Sequence, residues 1–506
     1  MLSATAPAQL RLSADFDTGN LGKIVRIDSM HLKHRPDDSV RMYSVEVLTR
    51  PDPKNPVDPD VPPSERWFHF RMEGVRGKHL FLRIPNTEVR RPFYSYDGTN
   101  YMRFTQRENL IPQTVHTFFE RDTVYIAYFA PYTHRHHADD MERWSRLPYA
   151  ASEVIGYSAQ GRPIRMLTVT DPSVPESGKH RFWIHARVHT SEAPASWHIK
   201  GFVEHLLDSS LLSAQIRRNA IFFIVPETNP DGVFGGYSRS TSSGVNLEIN
   251  WNRPAEQTAP EVRVLKRTIE RLTADRPMDA ALNTHSQIAP HITYWIHTAE
   301  STSPSFFRRE MLLSALTMNH TPLYRPGDQS FSDINSKYPE GWFWDTVGDK
   351  TVALTFETPY TYYSNDPQGE WVTTENLAQV GQATLLTLSD MFNLGGTERK
   401  VVDAEQTKRS GGWSERSDEQ VFFGNSYFVS EQAGASATFT FGKVPAGKYE
   451  IFKWIPGPST PTYSNDANRW VRIGRVTRRR KGRLTWTYKA ASAGEMLDAL
   501  LVVRMP

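Results

Sequence analysis

The chain reads as a central α/β domain between two β domains, and three observations carry that assignment. From about residue 145 to 395, short apolar runs alternate with amphipathic helical segments, the pattern of strands and helices sharing one sheet. From about 10 to 135, aromatic or β-branched runs are separated by turn residues, as in a β-sandwich. After a polar stretch at about Gly395 to Gly412 the β texture returns. A length of 506 residues also exceeds what one core serves, which favours several domains. The predicted division is 1–143, an N-terminal antiparallel β-sandwich; 144–394, an α/β domain with a mixed sheet flanked by helices; and 395–506, a linker plus a C-terminal accessory β-sandwich.

In the first region Trp67–Phe68–His69–Phe70, Leu80–Phe81–Leu82 and Val124 to Phe129 are predicted strands, and Arg50 to Pro63 a polar, proline-rich loop. The His- and acid-rich run His134 to Arg143 is expected to be a connector. In the second region Ile164 to Val169, Phe182 to Arg187, Ile221 to Pro226, Ala280 to Leu282 and Val352 to Phe356 read as strands, and Ala193 to Leu207 as a helix with Trp197, Phe202 and Leu206 near one face. In the third, Ala437 to Phe441, Tyr449 to Phe452 and Leu484 to Trp486 are predicted strands punctuated by Pro445–Ala446–Gly447 and Ile455–Pro456–Gly457. No internal repeat or long low-complexity tract is present.

Composition narrows the chemistry. With 59 Lys+Arg against 56 Asp+Glu, no global field favours a nucleic-acid or membrane partner. Cysteine is absent, which leaves any metal to histidines and carboxylates. No apolar run approaches membrane-spanning length, and Met1 to Leu12 lack the features of a signal peptide.

His189 and Glu192 follow the apolar run Phe182–Trp183–Ile184, and His285 follows a second such run. Two imidazoles and a carboxylate, with a fourth position left open, are the ligand set of a hydrolytic zinc site. Glu357, after the run ending at Phe356, and the turn Asn229–Pro230–Asp231–Gly232 follow further predicted strands. Ligands in open α/β sheets bind beyond the carboxyl ends of strands, so these segments are expected to converge on one rim. Peptide hydrolysis needs a better nucleophile and a stabilised oxyanion, and zinc serves both. Glu357 is then placed to act as base and acid, and Arg239, in the Ser-rich loop Ser238 to Ser243, to supply an oxyanion donor.

These segments resemble the zinc carboxypeptidases, closest to the cytosolic-carboxypeptidase-like branch and its bacterial relatives. The likeness runs, in order, through Ile155–Gly156–Tyr157–Ser158 with Gly161–Arg162–Pro163–Ile164, Ala186 to Glu192, Pro226 to Gly232, His285–Ser286–Gln287 and Phe356–Glu357. Phe93 to Gly98 and Tyr125 to Tyr132 look like that branch's N-terminal sandwich, so the resemblance spans roughly residues 10 to 390. It implies a zinc carboxypeptidase-like fold, one Zn2+ on His189, Glu192 and His285, catalytic Glu357, and Arg239 as carbonyl polariser.

One departure stands out. Where the family has an Asn-Arg pair for the substrate's terminal carboxylate, Gly244 to Trp251 puts Glu248 and Ile249. Unless Arg253 or another cation fills the place, a free carboxylate is repelled there and a cationic group favoured. Glu248, Ile249, Asn250 and Arg253 are therefore the candidate substrate-binding residues. The leading expectation is a zinc-dependent metallopeptidase acting on a peptide or protein. The alternatives are a zinc amidohydrolase or deacylase on small N-acyl substrates, and a non-catalytic binding protein.

Three further features have blander readings. His134, His136, His137, Asp139 and Asp140 are expected to face water rather than hold a second metal. Arg478–Arg479–Arg480–Lys481 reads as a solvated hairpin, not a nucleic-acid patch. Trp413, Trp454, Trp470 and Trp486 are expected to be core, although a surface or glycan ligand of the C-terminal domain stays open. That accessory domain leans the localisation toward secreted or periplasmic, with the cytoplasm as the alternative.

Overall fold

The computed structural model describes residues 10–35, 38–363, 370–418, 420–458 and 467–505. In the N-terminal region the strands form two sheets. One, of five strands, runs in the order Arg11–Ser13, His69–Glu73, Thr123–Ala127, Phe93–Ser95, Met102–Arg103; the other, of four, runs Ile24–Arg35, Asp38–Val47, His79–Arg83, Thr114–Phe118. Phe70 and Met72 of the first and Leu80 and Leu82 of the second are buried in one core, the consequence of side chains alternating across each strand. The expected all-antiparallel pairing does not hold, because Asp38–Val47 pairs in parallel with His79–Arg83. Between them the chain crosses to the other sheet through His69–Glu73 and returns, a crossover rather than a hairpin.

The expected connector is a helix, His134–Ser145, with the Thr133 hydroxyl accepting from His136 N and His136 Nδ1 accepting from Thr133 N. Its inward face is His137, Asp140, Met141 and Trp144, a helical spacing that the polar composition concealed. His137 and Asp140 are therefore buried rather than solvent-facing.

The α/β domain is built on an eight-stranded mixed sheet in the order Ala150–Tyr157, Pro163–Val169, Ala220–Val225, His180–Ala186, Ala280–Gln287, Val352–Pro359, Thr293–His297, Ser330–Ser332. The four central strands are mutually parallel and almost wholly buried, which is why they read as continuous apolar runs. Two are longer than expected. His285 and Glu357 lie inside strands that run on to Gln287 and Pro359, not after them, since the polar residues closing these strands still pair with each other in register. The helix Ala193–Leu207 packs against Thr374–Met391. A Cβ at Gly201 would stand 2.3 Å from the Ala378 Cα, so only glycine permits that approach.

The C-terminal region holds three small sheets. The expected linker is itself partly strand, because Arg399–Asp403 pairs with Ala499–Arg504 and buries Val401 and Val402. Arg478 to Lys481 is a turn between Arg469–Arg478 and Gly482–Lys489, strands of two different sheets, and so not a hairpin. Trp454 is fully buried, with its ring 5.2 Å from that of Trp470, and Trp413 and Trp486 pack on the neighbouring core. No helix among the described residues is long and apolar enough to cross a membrane.

Candidate active site

The strand His180–Ala186 ends in a turn that carries the first two candidate ligands. Arg187, almost fully buried, sits there at φ 55°, a left-handed conformation that costs a non-glycine residue on the order of 1–2 kcal/mol. Its guanidinium holds the turn from inside, donating to Tyr132 O at 2.9 Å, Thr190 O at 2.6 Å and Ser196 Oγ at 3.0 Å. Glu192 is the N-cap of Ala193–Leu207, where the helix dipole favours an anion. The Asn229–Pro230–Asp231–Gly232 turn buttresses this loop: the Asn229 amide donates to Val188 O, and Asp231 accepts from Ser158 Oγ, Gln160 N and Arg162 Nη1.

His189, Glu192 and His285 are all buried, and their ligand atoms lie within 4.8 Å of one another. His189 Nδ1 is 2.9 Å from Glu192 Oε1, and His285 Nδ1 is 2.8 Å from Glu192 Oε2. Both imidazoles thus present the same nitrogen to the same point, as one cation requires, while the opposite nitrogens are held in place. His189 Nε2 lies 3.1 Å from Asn246 Oδ1, and His285 Nε2 donates to Glu248 Oε2 at 3.0 Å. Such outer contacts fix ring orientation and tautomer around a metal. Burial and then the Arg239 charge push His189 down to about 4, so it stays neutral and able to ligate near pH 7. Burial opposes ionisation of Glu192, but His189 and His285 override it and hold the carboxyl well below its ordinary range.

Arg239 lies beside the cluster, with Nη2 3.0 Å from the outward His189 Nε2 and Nη1 3.5 Å from Glu192 Oε1. Glu357 stands opposite His285 in register on the adjacent strand. Its Oε1 accepts from Trp295 Nε1 at 3.0 Å, and burial together with the Glu192 charge pushes the carboxyl up to about 7, a value suited to proton transfer near neutrality. His189, Arg239, Glu248, His285, Glu340 and Glu357 face one cleft of about 320 Å³.

A family model described as zinc carboxypeptidase matches residues 144–375, and one described as cytosolic carboxypeptidase N-terminal domain matches residues 12–129. The chain belongs to the zinc carboxypeptidase family. It is accordingly a zinc-dependent hydrolase, and the His–Glu–His cluster supplies a donor set that fits the metal. An uncharacterized protein of Zymomonas mobilis is 25% identical over 364 residues, 65% of this chain and 88% of that protein. Mouse cytosolic carboxypeptidase 6 is 26% identical over 293 residues, 53% of this chain and 51% of the mouse protein, so the match spans only about half of that relative. Among solved structures, a metallo-carboxypeptidase from Burkholderia cenocepacia superposes at TM-score 0.61 with 23% identity, covering 75% of this chain and 98% of that one. One from Pseudomonas aeruginosa gives 0.59 and 23%, covering 75% and 98%. These two share the fold.

The predicted substrate-binding residues separate. Glu248 lines the cleft. Asn250 instead donates to Gln257 O and accepts from Ala259 N, bracing the start of a helix, and Arg253 is ion-paired with Asp58 of the N-terminal region. Neither Ile249, Asn250 nor Arg253 is among the residues that line the cleft.

Sequence reasoning missed Asp52. From the loop Arg50 to Pro63, its carboxylate accepts from Ser238 N at 2.6 Å, Arg239 N at 2.7 Å and Ser240 N at 3.0 Å. The N-terminal region therefore fixes the loop that carries Arg239. Nearby, Gly236 at φ 64° comes so close to the same region that a Cβ would lie 2.4 Å from Gly19 O. Asn283 and Glu340 were missed too. The Asn283 amide donates to Glu248 Oε1 at 3.0 Å and Glu340 Oε1 at 3.1 Å, and no local sequence signal marks a pair of buried carboxylates meeting at one amide.

Proposed function

We propose that this protein hydrolyses peptide or amide bonds with one zinc ion held by His189, Glu192 and His285, and that its substrate end differs from that of a carboxylate-clamping exopeptidase. The observation that carries the reading is the convergence of three buried donors from two chain segments within 4.8 Å, with Glu357 directly across. When bound, zinc acidifies a water and stabilises negative charge on a carbonyl oxygen. With the metal held there, Glu357 would take a proton from the attacking water and hand it to the leaving nitrogen, a transfer its raised carboxyl pKa of about 7 suits. Arg239, held by Asp52, offers N–H groups to the developing oxyanion. Glu248 orients His285, and its place in the sequence where the resemblance expects the carboxylate clamp supports the second reading, an amidohydrolase on small N-acyl substrates.

The proposed division is 1–143, 144–394 and 395–506, with the flanking regions as β-sandwiches. The substrate is a peptide or protein, and nothing supports a glycan or other surface ligand for the C-terminal region. Relatives named cytosolic carboxypeptidases favour the cytoplasm over export. Mass-spectrometric profiling of a mixed peptide library, with and without chelator, tests the proposal. Chelator-sensitive bond cleavage supports it, and an unchanged library with zinc-loaded protein refutes it.

A further inference from the structure

The floor of the cleft carries more carboxylate than metal chemistry uses. Glu340 is 4% exposed, lines the cleft, and opens the helix Pro339–Val347. The hydrogen bonds it accepts from other residues, from Asn283 Nδ2 at 3.1 Å and the Thr355 hydroxyl at 2.5 Å, both fall on Oε1, and its own backbone N–H also bonds the carboxyl. The same Asn283 nitrogen lies 3.0 Å from Glu248 Oε1, so two buried carboxylates approach each other through one amide.

Like charges this close repel, so either one carboxyl keeps a proton or a cation joins them. Glu248, Glu340 and Glu357 line the cleft beside Glu192 of the metal cluster, and burial with the Glu248 charge pushes the Glu340 carboxyl up, so a cation bound between Glu248 and Glu340 restores the second carboxylate. Of the cleft's other basic groups, Lys337 lies over the Tyr338 ring at 4.9 Å and His297 is paired with Glu310 at 2.8 Å.

We propose that Glu248 and Glu340 form a subsite for a cationic group, an ammonium or guanidinium, on the leaving side of the scissile bond. The inference rests on the hydrolase reading and deepens it by naming the substrate class. A carboxylate side chain placed there would meet the Glu248 anion and a second carboxyl, and an alkyl group would offer neither of them a partner. The cation has two sources, a basic residue at the end of a peptide or a diamine without a carboxylate.

The zinc-loaded protein is tested on one N-acyl group joined to lysine, lysine amide, 1,5-diaminopentane, norleucine or glutamate, and 1,5-diaminopentane binding is measured by calorimetry. The expected kcat/KM for the cationic leaving groups is at least tenfold above norleucine, with glutamate lowest. Comparing lysine with 1,5-diaminopentane tells the two sources apart. In Glu340→Gln the cationic preference falls to about unity and diamine binding weakens at least tenfold. A parent that prefers norleucine or glutamate overturns the inference, and does so whether or not the variant folds. So does a folded Glu340→Gln that keeps the parent's preference. If no substrate is cleaved while zinc is bound, the hydrolase reading fails; equal diamine binding by parent and variant then overturns the subsite separately.

Discussion

Residues 11–127 and 399–504 are both β-rich flanks of one α/β domain, yet they meet it in different ways. The first holds a loop that lines the cleft. Asp52 accepts three backbone N–H groups around Arg239, the Ser238 hydroxyl accepts from the buried Trp67 N, and Arg103 donates to Tyr360 O at 2.9 Å, three residues past Glu357 in the chain. The second docks at a distance. Asn319 joins Asn468 O and Trp470 N, Arg399 pairs with Asp390, and Arg308 covers the Phe422 ring at 4.4 Å. None of these residues lines the cleft. The contrast teaches that a flank of similar texture acts on catalysis only where it supplies partners to a catalytic loop. Elsewhere its contacts contribute stability.

Glu357→Gln sets the upper end of the scale. The amide cannot move the proton, and kcat/KM should fall by about 10³ while zinc content, read by metal analysis, stays that of the parent. Loss of zinc together with activity would assign Glu357 to metal binding instead. Arg239→Ala comes next, with a drop of about 10² in kcat and a smaller change in KM, the mark of a group acting in the transition state. A change confined to KM would make Arg239 a substrate anchor.

A pH profile separates the site from its flanks. The Glu357 carboxyl, raised to about 7 by burial and Glu192, must be ionised to accept a proton, so activity is lost as pH falls. A bound cation favours the carboxylate, which puts the acid limb of kcat/KM below 7, with about a tenfold decrease per unit beneath it. Glu357→Gln should flatten the limb, and a limb that survives belongs to another group. The smallest effect is expected at the far flank. Trp470→Ala removes a half-buried ring packed on Trp454 and Phe423, which costs about 2 kcal/mol and lowers Tm. It should leave kcat/KM within about twofold, and a larger loss would tie the C-terminal region to the cleft after all.

The sequence carried the α/β architecture and the metal donors because both follow from local rules. Buried parallel strands read as apolar runs, and the helix Ala193–Leu207 has the predicted bounds. His189, Glu192 and His285 meet because strand ends share a rim. Three kinds of feature stayed hidden. Polar residues that close a strand, His285 and Glu357, looked like loop. The helix His134–Ser145 looked like solvent-facing connector because its buried face includes His137 and Asp140. Asp52 and Glu340 act across more than a hundred residues and across one cleft, respectively, and long-range pairing leaves no trace in local composition.

Through Asp52 the N-terminal region holds the loop that sets Arg239 beside the metal donors. Asp52→Ala, which leaves the N–H groups of Ser238, Arg239 and Ser240 without their acceptor, tests it directly when kcat/KM and zinc stoichiometry are measured on one folded sample. Zinc should stay unchanged while kcat/KM falls by about 10-fold or more, as expected when a catalytic group is displaced by an ångström or so. Parent-level kcat/KM in that variant would contradict a role for Asp52 in the site.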